Sequence, residues 1–389
     1  MASVEKRLRD GKVTWLARWR DSAGTQRKRS FTRKVDADRF LTTVEHSMLT
    51  GGYVDPAAGK VTFKTYAEQW RAQQPHRPST AKAVHQHLRA YAYTTLGARP
   101  IAAIRPSEVQ AWATGLQTSL APSTMRTVLN TIKAVFKAAA ADRLIAYNPC
   151  ESVRLPPVPR RRLVPLTVEQ VQTIIESAPS QYRALLVLGA GTGLRAGELF
   201  GLQVRHVDFL RRHLTVEQQV QQTAGQAVYV CPPKTQSSYR VVPLPQTVVD
   251  ALANHLRGRG AGPNDFIFTA PSGGPVVRTS FMHSTWAPAA KAAGLAKGVG
   301  LHSLRHFYAS ALIRGGLSVK VVSERLGHAN AAMTLNVYAH LWPDDEDRTR
   351  QAVDDLFGVS VEPRVASTLK LSESLSVAGK DRSTLRAAR

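Results

Sequence analysis

Between residues 4 and 20 (VEKRLRDGKVTWLARWR), and again over 24–32 (GTQRKRSFT), apolar and basic positions alternate with the two-residue period of a half-buried strand. Turn signals at Asp10-Gly11 and at Asp21-Ser22-Ala23-Gly24 separate the runs, so the pattern predicts a small antiparallel sheet. The period then changes. Ala37, Phe40, Leu41, Val44 and Met48 recur at helical spacing, which predicts a helix over 35–49 that Gly51-Gly52 ends.

From Val61 to about Pro157 the apolar positions step only at helical intervals. Helix starts are predicted at Ser79-Thr80, Pro106-Ser107 and Pro122-Ser123, because a hydroxyl can accept from the first free amides and proline suits the first turn. The strongest stripe lies in 122–141, where Met125, Val128, Leu129, Ile132, Val135, Phe136 and Ala139 share one face and are assigned to the core. Arg126, Lys133 and Lys137, 7 and 4 residues apart, share another. Taken alone, that second face reads either as ordinary solvated surface or as a track for a phosphate backbone.

Periodicity stops at 154–165, where RLPPVPRRRLVP holds four prolines and four arginines and predicts an extended, semi-rigid connection. A linker at 158–165 would then divide a helical domain at 61–157 from a further unit at 166–357. Its Arg160, Arg161 and Arg162 either keep the connection hydrated or form a cationic strap that closes a clamp around a duplex. Beyond it, Thr167-Val168-Glu169-Gln170 fits a capping box, and Tyr182, Leu185, Leu186 and Leu188 mark a more apolar helix. Strands are predicted within 206–221 and 227–244 (HVDF, HLTVEQQV, AVYVCP, YRVVPL), with Lys234 to Ser238 as the turn between the last two. Residues 246–357 read as helical, with a loop near 259–277, and 358–389 as a flexible basic tail. The fold class predicted is multidomain: a small α+β sheet module at 1–60, an all-α domain, and a mainly-α domain carrying a small antiparallel sheet.

Charge adds a partner to this picture. The 389 residues include 52 Lys+Arg against 28 Asp+Glu, a formal net charge of +24, which points to a polyanion. No apolar run approaches a membrane span, and the start MASVEKRLRD has no apolar signal core, so nucleic acid in the cytoplasm is expected rather than a membrane surface. Cys150 and Cys231 form no CxxC and are expected to be reduced, structural thiols.

Four segments, TGLRAGEL (192–199), PPKTQSSYRVVPL (232–244), LHSLRHFYAS (301–310) and LGHANAAMTLNVYAH (326–340), resemble in order and spacing the signature blocks of the tyrosine recombinase, or phage integrase, family. The resemblance covers roughly 165–357. It implies that Arg195 and Arg305 hold a scissile phosphate, that Lys234 makes a β-turn contact and acts as acid, that His302 and His328 do accessory proton and hydrogen-bond work, and that Tyr338 is the nucleophile. Glu198 either orients an arginine or a neighbouring loop, or is an ordinary helical salt-bridge partner. Less specifically, 61–155 resembles the SAM-like core-binding domain and 1–60 the arm-type DNA-binding sheet of integrases from phages and mobile elements. Phe307 stands where many relatives carry a smaller polar residue.

The residue types suit that chemistry on physical grounds. A phosphodiester repels nucleophiles and gains charge in its transition state; two guanidinium groups, planar and always charged, can grip its oxygens without a metal. Asp344, Asp345 and Glu346 are consecutive and read as the start of a terminal helix rather than a magnesium site. His302, Arg305 and His306 share one helical face, and a zinc pair there is disfavoured by the neighbouring arginine and the lack of an HExxH glutamate. His306 is assigned to packing or to a supporting contact. No cofactor is expected, because a phosphotyrosine conserves the bond energy for religation.

As a member of this family the chain would integrate or excise a mobile element at specific double-stranded attachment sites, through a 3′-phosphotyrosine and a Holliday junction, as a homotetramer on synapsed DNA. A host DNA-bending factor and an excisionase are partners the family suggests. The terminal helix at 347–357, with Ala352, Val353, Leu356 and Phe357, would dock on its own domain or on a neighbour. The alternatives are a type IB topoisomerase, against which the amino-terminal module and the linker argue, and a non-catalytic DNA-binding protein on the same fold, which would lack one or more reactive residues.

Overall fold

The computed structural model describes residues 2–9, 12–21, 24–49, 58–159, 162–222, 227–342 and 346–357. The tail at 358–389, Gly51-Gly52, Arg160, Arg161, Asp344 and Asp345 therefore lie outside the described residues.

At the amino terminus β1 (Ser3–Arg9), β2 (Lys12–Arg20) and β3 (Gln26–Phe31) form an antiparallel sheet in that order, with Glu5 opposite Leu16 and Trp15 opposite Phe31. Helix α1 (Lys34–Leu49) lies on it, and Ala37, Leu41 and Val44 pack with Ala17 and Trp19 in a core of their own.

The next unit is helical: α2 (Phe63–Gln73), α3 (Pro78–His87), continued by a wider π turn at Leu88–Ala92, α4 (Pro106–Gly115) and α5 (Pro122–Ala141). Every residue of the predicted α5 stripe is buried, and it meets Phe63, Leu88 and Ile101 in a second core. The helix starts differ from expectation in their chemistry. The N-cap positions of α3, α4 and α5 hold Arg77, Arg105 and Ala121, and none makes a side-chain cap. Proline stands in the first turn of each, where its ring fixes a helical φ and it has no amide left to satisfy, and at α4 Glu108 Oε2 also accepts from Arg105 N at 2.9 Å.

Past the linker come α6 (Val168–Ser177), α7 (Ser180–Thr192), α8 (Ala196–Phe200), β4 (Val207–Asp208), β5 (His213–Val216), β6 (Gln219–Gln221), β7 (Tyr229–Cys231), β8 (Arg240–Pro243), α9 (Gln246–Leu256), α10 (Arg278–Phe281), α11 (Ala287–Ala292), α12 (His302–Arg314), α13 (Val319–Leu326), α14 (Ala331–Tyr338) and α15 (Glu346–Leu356). The predicted capping box is present, with Gln170 N donating to Thr167 Oγ1 and Thr167 N to Gln170 Oε1.

The sheet differs from the sequence reading. HLTVEQQV, expected as one strand, breaks into β5 and β6, which belong to separate sheets, β4-β5-β8 and β6-β7. Two side chains at the break bond sideways: Glu217 pairs with His206 at 3.0 Å, and Gln218 donates to the Gly201 carbonyl at 2.7 Å. Lys234 to Ser238 therefore connects two sheets rather than closing a hairpin, since β7 and β8 do not pair with each other.

Most apolar side chains of this unit form one large core, while Tyr308, Ile313, Val322, Leu326 and Tyr338 form a smaller one. Leu163 of the linker packs against the smaller core, and its carbonyl lies 2.8 Å from His340 Nε2. Among the described residues nothing covers the apolar end of α15: Leu356 is 83% exposed and Phe357, just beyond the helix, 79%. No helix among the described residues is long and apolar enough to cross a membrane.

Candidate active site

Two helix ends build the site. Helix α7 stops at Gly193 and α13 at Gly327, each in the left-handed region (φ +63° and +62°) that glycine enters without strain. Space demands glycine as well. A Cβ on Gly193 would stand 2.5 Å from the Tyr308 ring, and one on Gly327 would stand 3.0 Å from both the Ser237 carbonyl and Arg240 Nη1.

The carbonyls freed at these ends hold the two predicted arginines. Arg305, on α12, is buried and donates from Nη1 to the Gly193 carbonyl (2.7 Å) and from Nη2 to the Leu326 carbonyl (2.5 Å). Arg195, just before α8, donates from Nη2 to the Gly327 carbonyl at 2.9 Å. Two guanidiniums thus rest on the successive carbonyls of residues 326 and 327, at a helix C-terminus where the backbone dipole favours cations.

Beneath them lies Glu198, 2% exposed. It accepts four hydrogen bonds: from Arg195 N and Nη1 (2.9 Å each), and from Arg240 Nη1 (3.2 Å) and Nη2 (2.9 Å). Burial works to raise its pKa, but the Arg240 hydrogen bond and charge, with Arg195, outweigh it and hold the carboxyl below its ordinary range. Of the two readings of Glu198, the orienting one fits these contacts. Arg240, from β8, is buried with it and also donates from Nε to the Arg325 carbonyl at 2.9 Å.

Three arginines around one carboxylate leave a net of two positive charges in a poorly solvated place. Burial first, then Arg195, push Arg305 down to about 9, with Arg240 adding to the effect and Glu198 opposing it. The direction is what matters: an anion placed between the guanidiniums would relieve their repulsion.

Tyr338 ends α14 and is 1% exposed. Its Oη lies 2.7 Å from His306 Nδ1, one residue beyond Arg305 on α12. Burial pushes the phenol up to about 12, against the pull of Arg305. His306 is pushed down to about 4 by burial, then by His302 and Arg305. The His302 ring meets the His306 ring edge to face at 4.7 Å, and loss of solvent, then Arg305, Arg195 and Arg278, lower its pKa. His328 Nδ1 lies 2.8 Å from Thr334 Oγ1, and burial followed by Arg305 and Arg195 takes it down to about 4.

The structure thus brings together Arg195, Arg305, His302, His328 and Tyr338. It does not bring in Lys234, whose side chain is exposed on the loop between the two sheets. The loop itself meets the arginines through Ser238, whose carbonyl accepts from Arg240 Nη1 at 2.9 Å and whose Oγ accepts from Arg195 Nη1 at 3.5 Å, and meets the helical unit at Arg77, whose Nη2 donates to the Pro233 carbonyl at 3.3 Å. A cleft of about 640 Å³ opens beside the arginines, lined by Ser79 of α3 together with Arg195, Gln219, Arg278 and His302. Arg126 and Lys137 are exposed on α5, as is Arg162 in the linker, whereas Lys133 is paired with Glu151 at 2.7 Å. Among the described residues no group of three or more His, Cys, Asp or Glu side chains is placed to hold a metal.

Sequence reasoning missed Arg240 and Arg278 and gave His306 only a supporting part. An arginine opening an otherwise apolar strand was the available signal for Arg240; for His306 it was the helical face shared with His302 and Arg305.

Arg195 and His302 line the cleft, and the buried Arg305 and Tyr338 belong to the same cluster; guanidiniums, neutral imidazoles and a phenol together suit attack on a phosphodiester. The models of the phage integrase family and of the phage integrase central domain match residues 165–344 and 63–155. Among curated proteins, a XerC-like tyrosine recombinase of Caldanaerobacter subterraneus is 28% identical over 310 residues, covering 72% of this chain and 79% of that protein. The integrase of Mycobacterium phage FRAT1 is 27% identical over 339 residues, 84% of this chain and all of its own length. Among solved structures, the Tn1549 transposon integrase in complex with a circular intermediate DNA aligns with a TM-score of 0.66 and 25% identity, over 76% of this chain and 99% of that one. The lambda integrase tetramer bound to a Holliday junction shares the fold at a TM-score of 0.56 and 18% identity, over 88% and 98%. The chain belongs to the phage integrase family of tyrosine recombinases. It is a site-specific recombinase, an integrase.

Proposed function

We propose that Tyr338 attacks a DNA phosphodiester whose non-bridging oxygens are held by Arg195 and Arg305, expelling a 5′-hydroxyl and leaving a 3′-phosphotyrosine. The observation that carries this is the seating of both guanidiniums on neighbouring carbonyls, 326 and 327, beside the helix that holds the partner of the phenol. Such a pair can donate to several phosphate oxygens at once, and its charge lies where the transition state gains charge. Exchange then runs in reverse, with a hydroxyl from the other duplex attacking the phosphotyrosine, so that strands swap through a Holliday junction without ATP. Lys234 reaches the leaving oxygen as its acid once the exposed loop closes on DNA, and His302 and His328 hydrogen-bond the phosphate.

The same reading assigns the units at 1–60, 61–157 and 166–357, joined by the linker at 158–165, to arm-site binding, core-site binding and catalysis. Exposed Arg126, Lys137 and Arg162 would follow the backbone, with Arg160 and Arg161 beside them in the linker; Lys133 must first exchange Glu151 for a phosphate. The partner is a double-stranded attachment site, met in the cytoplasm. Four protomers assemble on two duplexes, with Val353 and Leu356 of α15 and the adjoining Phe357, all exposed among the described residues, docking on a neighbour.

The test is to recover DNA that stays bound to the chain after detergent denaturation, map its ends as the attachment core, and sequence the modified peptide. The expected result is DNA on Tyr338, and none on Tyr338→Phe, which still binds the core. A covalent complex at wild-type yield in that variant, or a modified peptide elsewhere, would overturn the proposal.

A further inference from the structure

We infer that His306 is a catalytic residue, the base that takes the phenolic proton of Tyr338 through Nδ1 as the phenol attacks. The inference rests on the reading of Tyr338 as nucleophile and adds the group that activates it, a part the family resemblance left to unspecified accessory histidines.

Geometry comes first. A general base must lie within hydrogen-bond reach of the proton it removes, and His306 Nδ1 stands 2.7 Å from Tyr338 Oη, with the ring centroids 5.6 Å apart. Of the other two histidines near the arginines, His328 has its Nδ1 on Thr334 Oγ1, and the His302 ring packs against His306 rather than against the phenol. His306 is also fixed relative to the phosphate grip, because Arg305 precedes it on α12 and is tied to two carbonyls. The base is thus placed by the element that places one of the arginines, and its hydrogen bond reaches the phenol at the end of α14.

Electrostatics sets the direction of the bond. His306 is held down to about 4 and Tyr338 up to about 12, so at neutral pH the imidazole is uncharged and the phenol keeps its proton. The phenol donates and Nδ1 accepts, with the imidazole proton on Nε2. That mismatch restrains the free protein from forming phenolate. A phosphodiester gripped by Arg305 opposes one of the charges that depress His306, so the base strengthens when substrate is in place.

The step balances. The Oη–P bond forms as the bond from phosphorus to the 5′-oxygen breaks; the phenolic proton passes to Nδ1, and the leaving oxygen takes a separate proton from the acid. In religation the imidazolium returns its proton to Oη.

The test uses the full chain and a nicked duplex of the mapped attachment core, with covalent complex measured in single turnover across pH. His306→Asn retains an oxygen able to accept near the Nδ1 position but takes up no proton. It is expected to bind uncut DNA within about twofold of wild type while trapping it roughly 100- to 1,000-fold more slowly. Its rate should keep rising with pH where the wild-type rate levels. A duplex with sulfur in place of the scissile 5′-oxygen, whose thiolate leaves without an acid, should not restore the rate. His306→Ala should be rescued by added imidazole in proportion to its free base, which also decides the matter should the asparagine variant fold poorly. The inference fails if His306→Asn keeps the wild-type rate and pH profile, if the sulfur duplex restores it, or if imidazole does nothing. Covalent complex with Tyr338→Phe would instead sink the reading of the nucleophile itself.

Discussion

Glu198→Gln changes one buried atom from acceptor to donor while keeping shape and volume, which makes it a sharp probe of the arginine cluster. In the native site Oε1 accepts from Arg195 Nη1 and Arg240 Nη1, and Oε2 accepts from Arg195 N and Arg240 Nη2. Whichever way the amide turns, two of the four hydrogen bonds are lost and its NH2 faces donors. With hydrogen bonds to charged groups worth about 1.5–3 kcal/mol each, and one-sided removal from a buried ion pair about 3–5 kcal/mol, the loss should be about 3–5 kcal/mol. Hydrogen exchange on the full chain reads this locally: at 1.4 kcal/mol per tenfold, protected amides of α8 and α13 should exchange at least about 100-fold faster. Covalent trapping should fall as well, since Arg195 loses either its side-chain or its backbone anchor to Glu198, according to which way the amide turns. The double variant Glu198→Gln/Arg240→Met should recover part of the stability, because it removes a guanidinium left without its counter-ion. Exchange in α8 and α13 within about threefold of wild type would refute the claim that Glu198 holds the cluster together, since that corresponds to well under 1 kcal/mol.

Gly327→Ala is expected to cost about 1–2 kcal/mol for its left-handed backbone and more for displacing Arg240 and the Ser237 carbonyl, whereas Gly258→Ala, with φ +75° and open space, should cost the backbone term alone; equal unfolding midpoints for the two would argue against the packing role. His306 and His328 have pKa values depressed to about 4, so between roughly pH 6.5 and 4 the unfolded chain binds protons that the folded chain refuses. Their contribution is intact above about pH 6.5 and is lost as pH falls, so the urea midpoint should drop from pH 7 to pH 5; an unchanged midpoint would contradict their burial in the neutral form.

The sequence by itself determined what repeats along the chain and what its motifs carry. The α5 stripe, the α1 helix, the three-stranded sheet and the capping box of α6 are local patterns, set by spacing over a few residues, and each stands where the periodicity put it. The residue types of the site were also legible, because a phosphate calls for guanidiniums and a covalent strand transfer calls for a nucleophile. What joins them was not. Arg195 reaches a carbonyl 132 residues away and Arg305 one 112 away, and no local period encodes a contact of that reach. Tertiary packing alone decided that Glu198 is shared by two arginines, that HLTVEQQV divides between two sheets, that Lys234 is exposed, and that His306 meets the phenol. Each follows from where side chains from distant elements find partners once their backbones pack, and burial then fixes the protonation states on which the chemistry depends.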